Sequence, residues 1–285
     1  MFTTNTIATQ QYRDKYRLAQ LDHALRNALI AEKICMVDRG ADKYIYSPYQ
    51  TAPTTVVQTI IGTYAPANST TLNETFTLTY EFIVAEQIKD FESSLSKFDV
   101  FAARTDDMTA SIATKIDQYV LNAMVAGAGT TLDTPSGGFT TPANTAKIFG
   151  DICGKLMGYA DTYKGIYCVV ENTDVTGFIQ FQGAAGFSYA DAALNNGFMA
   201  NVFGVEVYVA RTGTFSTSTI GEAFTNSGHR LAGVKGVVTY AAPRGVQVEE
   251  KSVTGMTGKE VVVFGYAGAK VWTPKAALTI DITIK

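Results

Sequence analysis

The chain has 285 residues, 46% of them hydrophobic and only 17% charged, with 23 Lys and Arg against 26 Asp and Glu for a formal net charge of -3. That length accommodates one large domain or two ordinary ones with a sizeable core. The even charge balance argues against a dedicated nucleic-acid binder, which carries a basic patch or a high pI, and leaves room for a surface that merely faces nucleic acid. Charge content lies well below the roughly 25% of ordinary soluble domains, which points to a surface largely covered by partners.

The N-terminal stretch MFTTNTIATQQYRDKYR lacks the apolar core of a signal peptide, and nowhere do 18 apolar residues run together, so no membrane span is expected. The three cysteines, Cys35, Cys153 and Cys168, form no CxxC pair. They are expected as reduced, mostly buried thiols of a cytosolic setting.

In chain order, Leu18, Leu21, Leu25 and Leu29 recur at steps of three and four and predict an amphipathic helix over 10–38, stopped at Gly40. From Ser47 to Tyr80 the only charged residue is Glu74. Two strand-like runs follow, TTVVQTIIGTY (54–64) and TFTLTYEFIV (75–84), and together they predict a long hairpin. The second run alternates Phe76, Leu78, Tyr80 and Phe82 with Thr75, Thr77, Thr79 and Glu81. A lone uncharged hairpin is marginal in water and prone to aggregate, so it must lie on its own domain or on another subunit.

A long helix is predicted next, from a cap at Ser93 or Ser94 to Gly127. Leu95, Phe98, Ala102, Thr105, Met108, Ile112, Ile116, Tyr119 and Ala123 form its apolar stripe. At about 1.5 Å per residue it would be roughly 50 Å long. AGAGTTLDTPSGGFTTPANT (126–145) has no apolar period and reads as a loop. A helix at 145–163, the strand GIYCVV (165–170), a short helix capped at Asn172 or Thr173, and a loop over 183–204 follow. The last third reads as strands at 205–210, 236–241, 245–250, 260–272 and 278–284. In the first of these, Val205, Val207 and Val209 are expected on a core, and Glu206 and Tyr208 on the opposite side.

No chemical constellation stands out. His23 has no Glu or second His at i+4, and His229 follows a turn sequence, so both read as solvated or structurally hydrogen-bonded. Asp99 and the Asp106-Asp107 pair read as a solvated helix face, because adjacent helical residues do not face each other. Glu249-Glu250-Lys251 likewise reads as surface. AGAGTT (126–131) lacks the third glycine of a dinucleotide loop and follows a helix. Gly197 and Gly204 lead into a strand, where a phosphate loop would lead into a helix N-terminus. No Lys or Arg occurs from 165 to 210.

In their order, and in textures such as IYCVVENTDVTGFIQ and NGFMANVFGVEVYVA, these elements resemble the major capsid protein of tailed bacteriophages, the Hong Kong 97-like fold. The resemblance implies an α+β chain with an N-terminal arm (1–45) and an extended hairpin, the E-loop (46–85). A peripheral domain with a spine helix (86–144), an axial domain (145–240) and return strands of the peripheral domain (241–285) would complete it. The implied role is structural and not enzymatic: self-assembly into an icosahedral head shell enclosing double-stranded DNA. The alternative is an encapsulin-type shell enclosing cargo enzymes.

Implied partners are copies of the chain as pentamers and hexamers, a separate scaffold, a portal protein, and packaged DNA contacted non-specifically. No cofactor, metal, catalytic residue, small-molecule substrate or membrane is implied, and the location is the virion after synthesis in the host cytoplasm. Candidate subunit-interface residues are Tyr64, Pro66, Asn68, Leu78, Tyr80 and Phe82 on the hairpin, with Phe187, Tyr189 and Asn195 in the axial loop. Some members of the family cross-link the hairpin through a lysine; 47–80 contains none, so no isopeptide link is expected here.

Overall fold

The computed structural model describes residues 29–40, 44–51, 70–78, 80–89, 100–160, 165–185, 198–215, 228–243, 247–252 and 258–285. Its first element is the short helix α1 (Ile30–Ile34), with Ile30, Ala31 and Ile34 buried. The helix expected over 10–38 thus stops at Ile34, and 10–28 lie outside the described residues. The stop is tertiary in origin. Cys35 is extended, and strand β1 (Met36–Asp38) pairs in parallel with β10 (Thr239–Ala241), a partner that local periodicity cannot reveal.

Strands β2 (Tyr44–Thr51) and β3 (Thr70–Thr77) form an antiparallel two-stranded ribbon running from Tyr44↔Thr77 to Thr51↔Thr70. The expected run 54–64 lies outside the described residues. The expected strand 75–84 is two strands: β3 ends at Thr77, and β4 (Glu81–Lys89) lies in another sheet, ordered β11–β12–β4 with β11 (Gln247–Ser252) and β12 (Gly258–Tyr266). Because the apolar alternation carries across the break, the sequence reads as one strand. Expected strand 260–272 similarly divides into β12 and β13 (Gly268–Lys270), the latter pairing with β10.

Helix α2 (Val100–Ala126) has 27 residues, about 40 Å at the α-helical rise. Its predicted start near Ser93 lies outside the described residues. Thr105, Met108, Ile112, Ile116, Val120 and Met124 form its buried stripe, at steps of three and four. Gly127 follows, its N–H still bonded to the Ala123 carbonyl at 3.0 Å.

The six-stranded sheet runs β5 (Thr130–Asp133), β14 (Thr279–Thr283), β9 (His229–Val234), β6 (Ile166–Glu171), β8 (Val205–Ala210), β7 (Phe198–Val202). Two helices, α3 (Pro142–Ala160) and α4 (Val175–Ala185), share a core with one face through Ile166, Cys168, Val170, Val205, Val207 and Ile280. The other face gives Tyr167, Val169, Tyr208, Ala210 and Leu231 to the core of α2 and the β4–β12 sheet. Burial on both sides explains why all six residues of β6 are inside. It also completes the reading of β8: Val205 and Val207 face the expected core, while Tyr208, on the opposite side, is buried as well.

Several expectations are corrected here. The 126–145 loop contains β5, an edge strand whose only buried side chain is Leu132, and a 3-10 turn at Gly138–Thr140. Helix α3 begins earlier than 145, at Pro142, a residue suited to a first turn because it needs no N–H partner. The turn before α4 is capped by Glu171 and Asp174 reciprocally, not by Asn172 or Thr173. Within 183–204, α4 extends to Ala185 and β7 occupies 198–202. Strand β9 is missing from the sequence reading, so His229 sits in a strand and not in a turn. Within the segment 241–285, β14 lies in the six-stranded sheet between β5 and β9.

Candidate assembly surface

Among the described residues, the ribbon β2–β3 hydrogen-bonds to no third strand, and side chains at its root tie it to the rest of the chain. Glu74 does so. Its carboxylate pairs with Lys270 at 2.9 Å, accepts the Thr273 backbone N–H at 3.0 Å and accepts the Thr273 hydroxyl at 3.2 Å. Partial burial pushes its carboxyl up, but the bonds from Lys270 and Thr273 outweigh that and hold it below the usual carboxylate value. Beside this clamp, Gly268 leaves the space that the root fills: a Cβ there would meet Phe76 Cζ at 2.5 Å and Leu78 Cδ2 at 2.8 Å. The one charge of the 47–80 stretch is therefore an anchor to the chain's own β13 region.

Of the residues expected at subunit contacts, Tyr64, Pro66, Asn68, Phe187, Tyr189 and Asn195 lie outside the described residues. Leu78 and Phe82, at 8% and 3% exposure, are buried in the chain's own structure. Phe82 sits edge-on to Tyr119 with ring centroids 5.9 Å apart, and half-buried Tyr80 meets the same ring at 5.1 Å. Tyr80 and Phe82 are thus covered by α2 of the same chain, and Leu78 sits at the Gly268 gap.

The outward phase of the same strand is the open one. Ile83 is 59% exposed and lies opposite Phe264, whose ring stands 6.3 Å from that of Tyr266. These three form an apolar cluster on the outer side of the β11–β12–β4 sheet. A signal for it existed, since Ile83 breaks the polar phase Thr75, Thr77, Thr79, Glu81. Along its inner border runs a groove of about 730 Å³ lined by Phe82, Ile83, Val84, Ile112, Lys115 and Arg211.

A second open apolar site lies at the β7–β8 turn. Phe203 holds φ 51° and Gly204 φ 84°, the left-handed pair of a tight hairpin turn in which Asn-Gly is the usual choice. Phe203 nonetheless carries an aromatic ring that is 51% exposed, with Met157 and Tyr159 of α3 also exposed.

Charged clusters are internally matched. Buried Arg230 donates through Nε to Asp174 at 2.5 Å and pairs with Glu171 at 3.3 Å, while Glu171 accepts the Phe215 N–H. His229 Nδ1 lies 2.7 Å from Asp281. Lys235 reaches both Glu206 and Tyr208. Asp106 and Asp107 are exposed on α2. Burial pushes the Cys35 and Cys168 thiols far up, which keeps them protonated. Among the described residues, no group of three or more His, Cys, Asp or Glu side chains could hold a metal, and no helix is long and apolar enough to cross a membrane.

No protein-family model matches the chain, and no curated protein matches it in sequence. Solved structures do. The chain is similar to a structure of Mycobacterium phage Che8, with a TM-score of 0.63 and 14% identity over 85% of this chain and 84% of that one. The mature capsid of bacteriophage PhiM1 matches with a TM-score of 0.66 and 9% identity, over 90% and 87% of the two chains. A virus-like particle from Pyrococcus furiosus matches with a TM-score of 0.60 and 10% identity, over 94% and 98%. The chain has the mixed helix-and-sheet fold of tailed-phage capsid proteins.

Proposed function

We propose that this chain is the major capsid protein of a tailed bacteriophage, assembling as pentamers and hexamers into an icosahedral shell around double-stranded DNA. The observation that carries the reading is a fold likeness running over most of both chains, with the PhiM1 mature capsid among the matches. Within it, 1–45 serve as the arm, 46–85 as the extended hairpin, α2 as the spine of a peripheral unit, and 145–240 as the axial unit. The root of the hairpin is fixed to its own chain by Glu74, through Lys270 and Thr273. A separate scaffold and a portal would complete assembly in the host cytoplasm, with the virion as final location.

The Pyrococcus furiosus virus-like particle supports a second reading, a compartment shell that encloses protein cargo. Electron microscopy of particles from the full chain, with and without candidate scaffold partners, tests both. Closed shells are expected, and their content, DNA or protein, separates the readings. A chain that stays monomeric under every assembly condition overturns both.

A further inference from the structure

We propose that Asp117 is a pH-dependent latch holding helix α1, the root of the N-terminal segment, against the long helix α2. The geometry is that of a cap supplied from a distance. Asp117 Oδ2 accepts the Ile30 backbone N–H at 3.0 Å and Oδ1 accepts that of Ala31 at 3.1 Å. Helix α1 has no side-chain cap of its own, and five residues are far too few for a helix to stand alone in water. Its first N–H groups therefore depend on this carboxylate.

Among the described residues, four titratable groups face Asp117. Lys33 of α1 and Arg211, which follows β8 and donates to Thr114 one turn away on α2, are the cations. Cys35 and Tyr240 of β10 face it as well, and both also feel Glu32 of α1. Burial raises the Asp117 carboxyl to about 6, despite the pull of the two N–H groups, Lys33 and Arg211. When α1 opens, the carboxyl returns to water and to an ordinary value of about 3.9. The docked form thus binds the proton more tightly than the open form, so acid favours docking. Docking weakens as pH rises from the ordinary carboxyl range through about 6. Between pH 5 and pH 7.5 the opening equilibrium shifts by about ten-fold.

Hydrogen exchange on the full chain, followed by mass spectrometry of peptides covering 29–38 and corrected for intrinsic rates, tests this. Protection should fall about ten-fold from pH 5 to pH 7.5 in the wild type and stay flat in Asp117→Asn. Should the variant fail to fold, the carbon-13 titration of the wild-type Asp117 carboxyl replaces it, with a midpoint near 6 expected. A flat wild-type profile, an unchanged slope in Asp117→Asn, or a midpoint near 4 overturns the latch.

Discussion

Phe82 and Ile83 are neighbours on β4 that face opposite ways, and this makes them a sharp test of the packing. Phe82 is 3% exposed, set against Tyr119 of α2, whereas Ile83 is 59% exposed. Truncating a fully packed phenylalanine to alanine removes its burial and leaves a cavity, at a cost of about 3–5 kcal/mol. Total stability is of order 5–15 kcal/mol, so Phe82→Ala should lower the Tm of the dispersed subunit by about 5–8 °C. Ile83→Ala, on the open face, should change stability by no more than about 0.5 kcal/mol. Thermal unfolding by circular dichroism, on subunits kept below the assembly concentration, measures both. If Ile83→Ala proves the costly change and Phe82→Ala the neutral one, β4 is slipped by one residue and the whole face assignment fails. Under the shell reading, the same pair should invert in an assembly assay: Ile83→Asp leaves a folded subunit that forms few particles.

Two further substitutions probe the anchors of the fold. Glu74→Gln removes the charge that ties the ribbon to Lys270, and a partly exposed pair of this kind is worth under about 1 kcal/mol. Global Tm should barely move, while hydrogen exchange in 70–77 accelerates. Because the Glu74 carboxyl is held below its ordinary value, its contribution is present above that ordinary value and is lost as pH falls through the lowered one, so wild-type exchange should approach the variant's in acid. Gly177→Ala should abolish soluble expression, since a Cβ there would lie 1.5 Å from the Phe139 carbonyl oxygen and the collision is with backbone. Soluble, native-like Gly177→Ala protein would show that α4 does not pack on the 138–140 turn as described.

Much of the fold is legible where burial has a local signature. The stripe of α2 is visible because one face of a helix meets one core, which imposes the 3.6-residue period. Strand β6 is visible as an unbroken apolar run because both of its faces are covered. What stays hidden are elements whose identity depends on distant partners. Strand β5 offers one buried side chain, Leu132, and exists because β14 pairs with it in parallel. Strand β1 is three residues long and is held by β10. The break between β3 and β4 hides for the opposite reason: the alternation is continuous while the hydrogen-bonding partner changes from β2 to β12.

The same logic applies to the apolar face of the β3–β4 run. Period-two alternation says that a strand has an apolar side, but not whose atoms cover it. The alternation of Phe76, Leu78, Tyr80 and Phe82 leaves the chain's own domain and another subunit equally open, and it is the family resemblance that places Leu78, Tyr80 and Phe82 on a neighbour. The structure supplies that cover from α2 and from the Gly268 gap, both far along the chain. What is left uncovered is the weaker signal: a lone Ile83 in a polar phase, and a phenylalanine where a hairpin turn favours asparagine. Each carries a cost to the isolated subunit, an apolar surface in water for the first and a left-handed aromatic residue for the second. Such costs within a single chain are repaid when another molecule covers them, so the irregular positions, more than the regular apolar stripes, are where contacts with further copies should be sought.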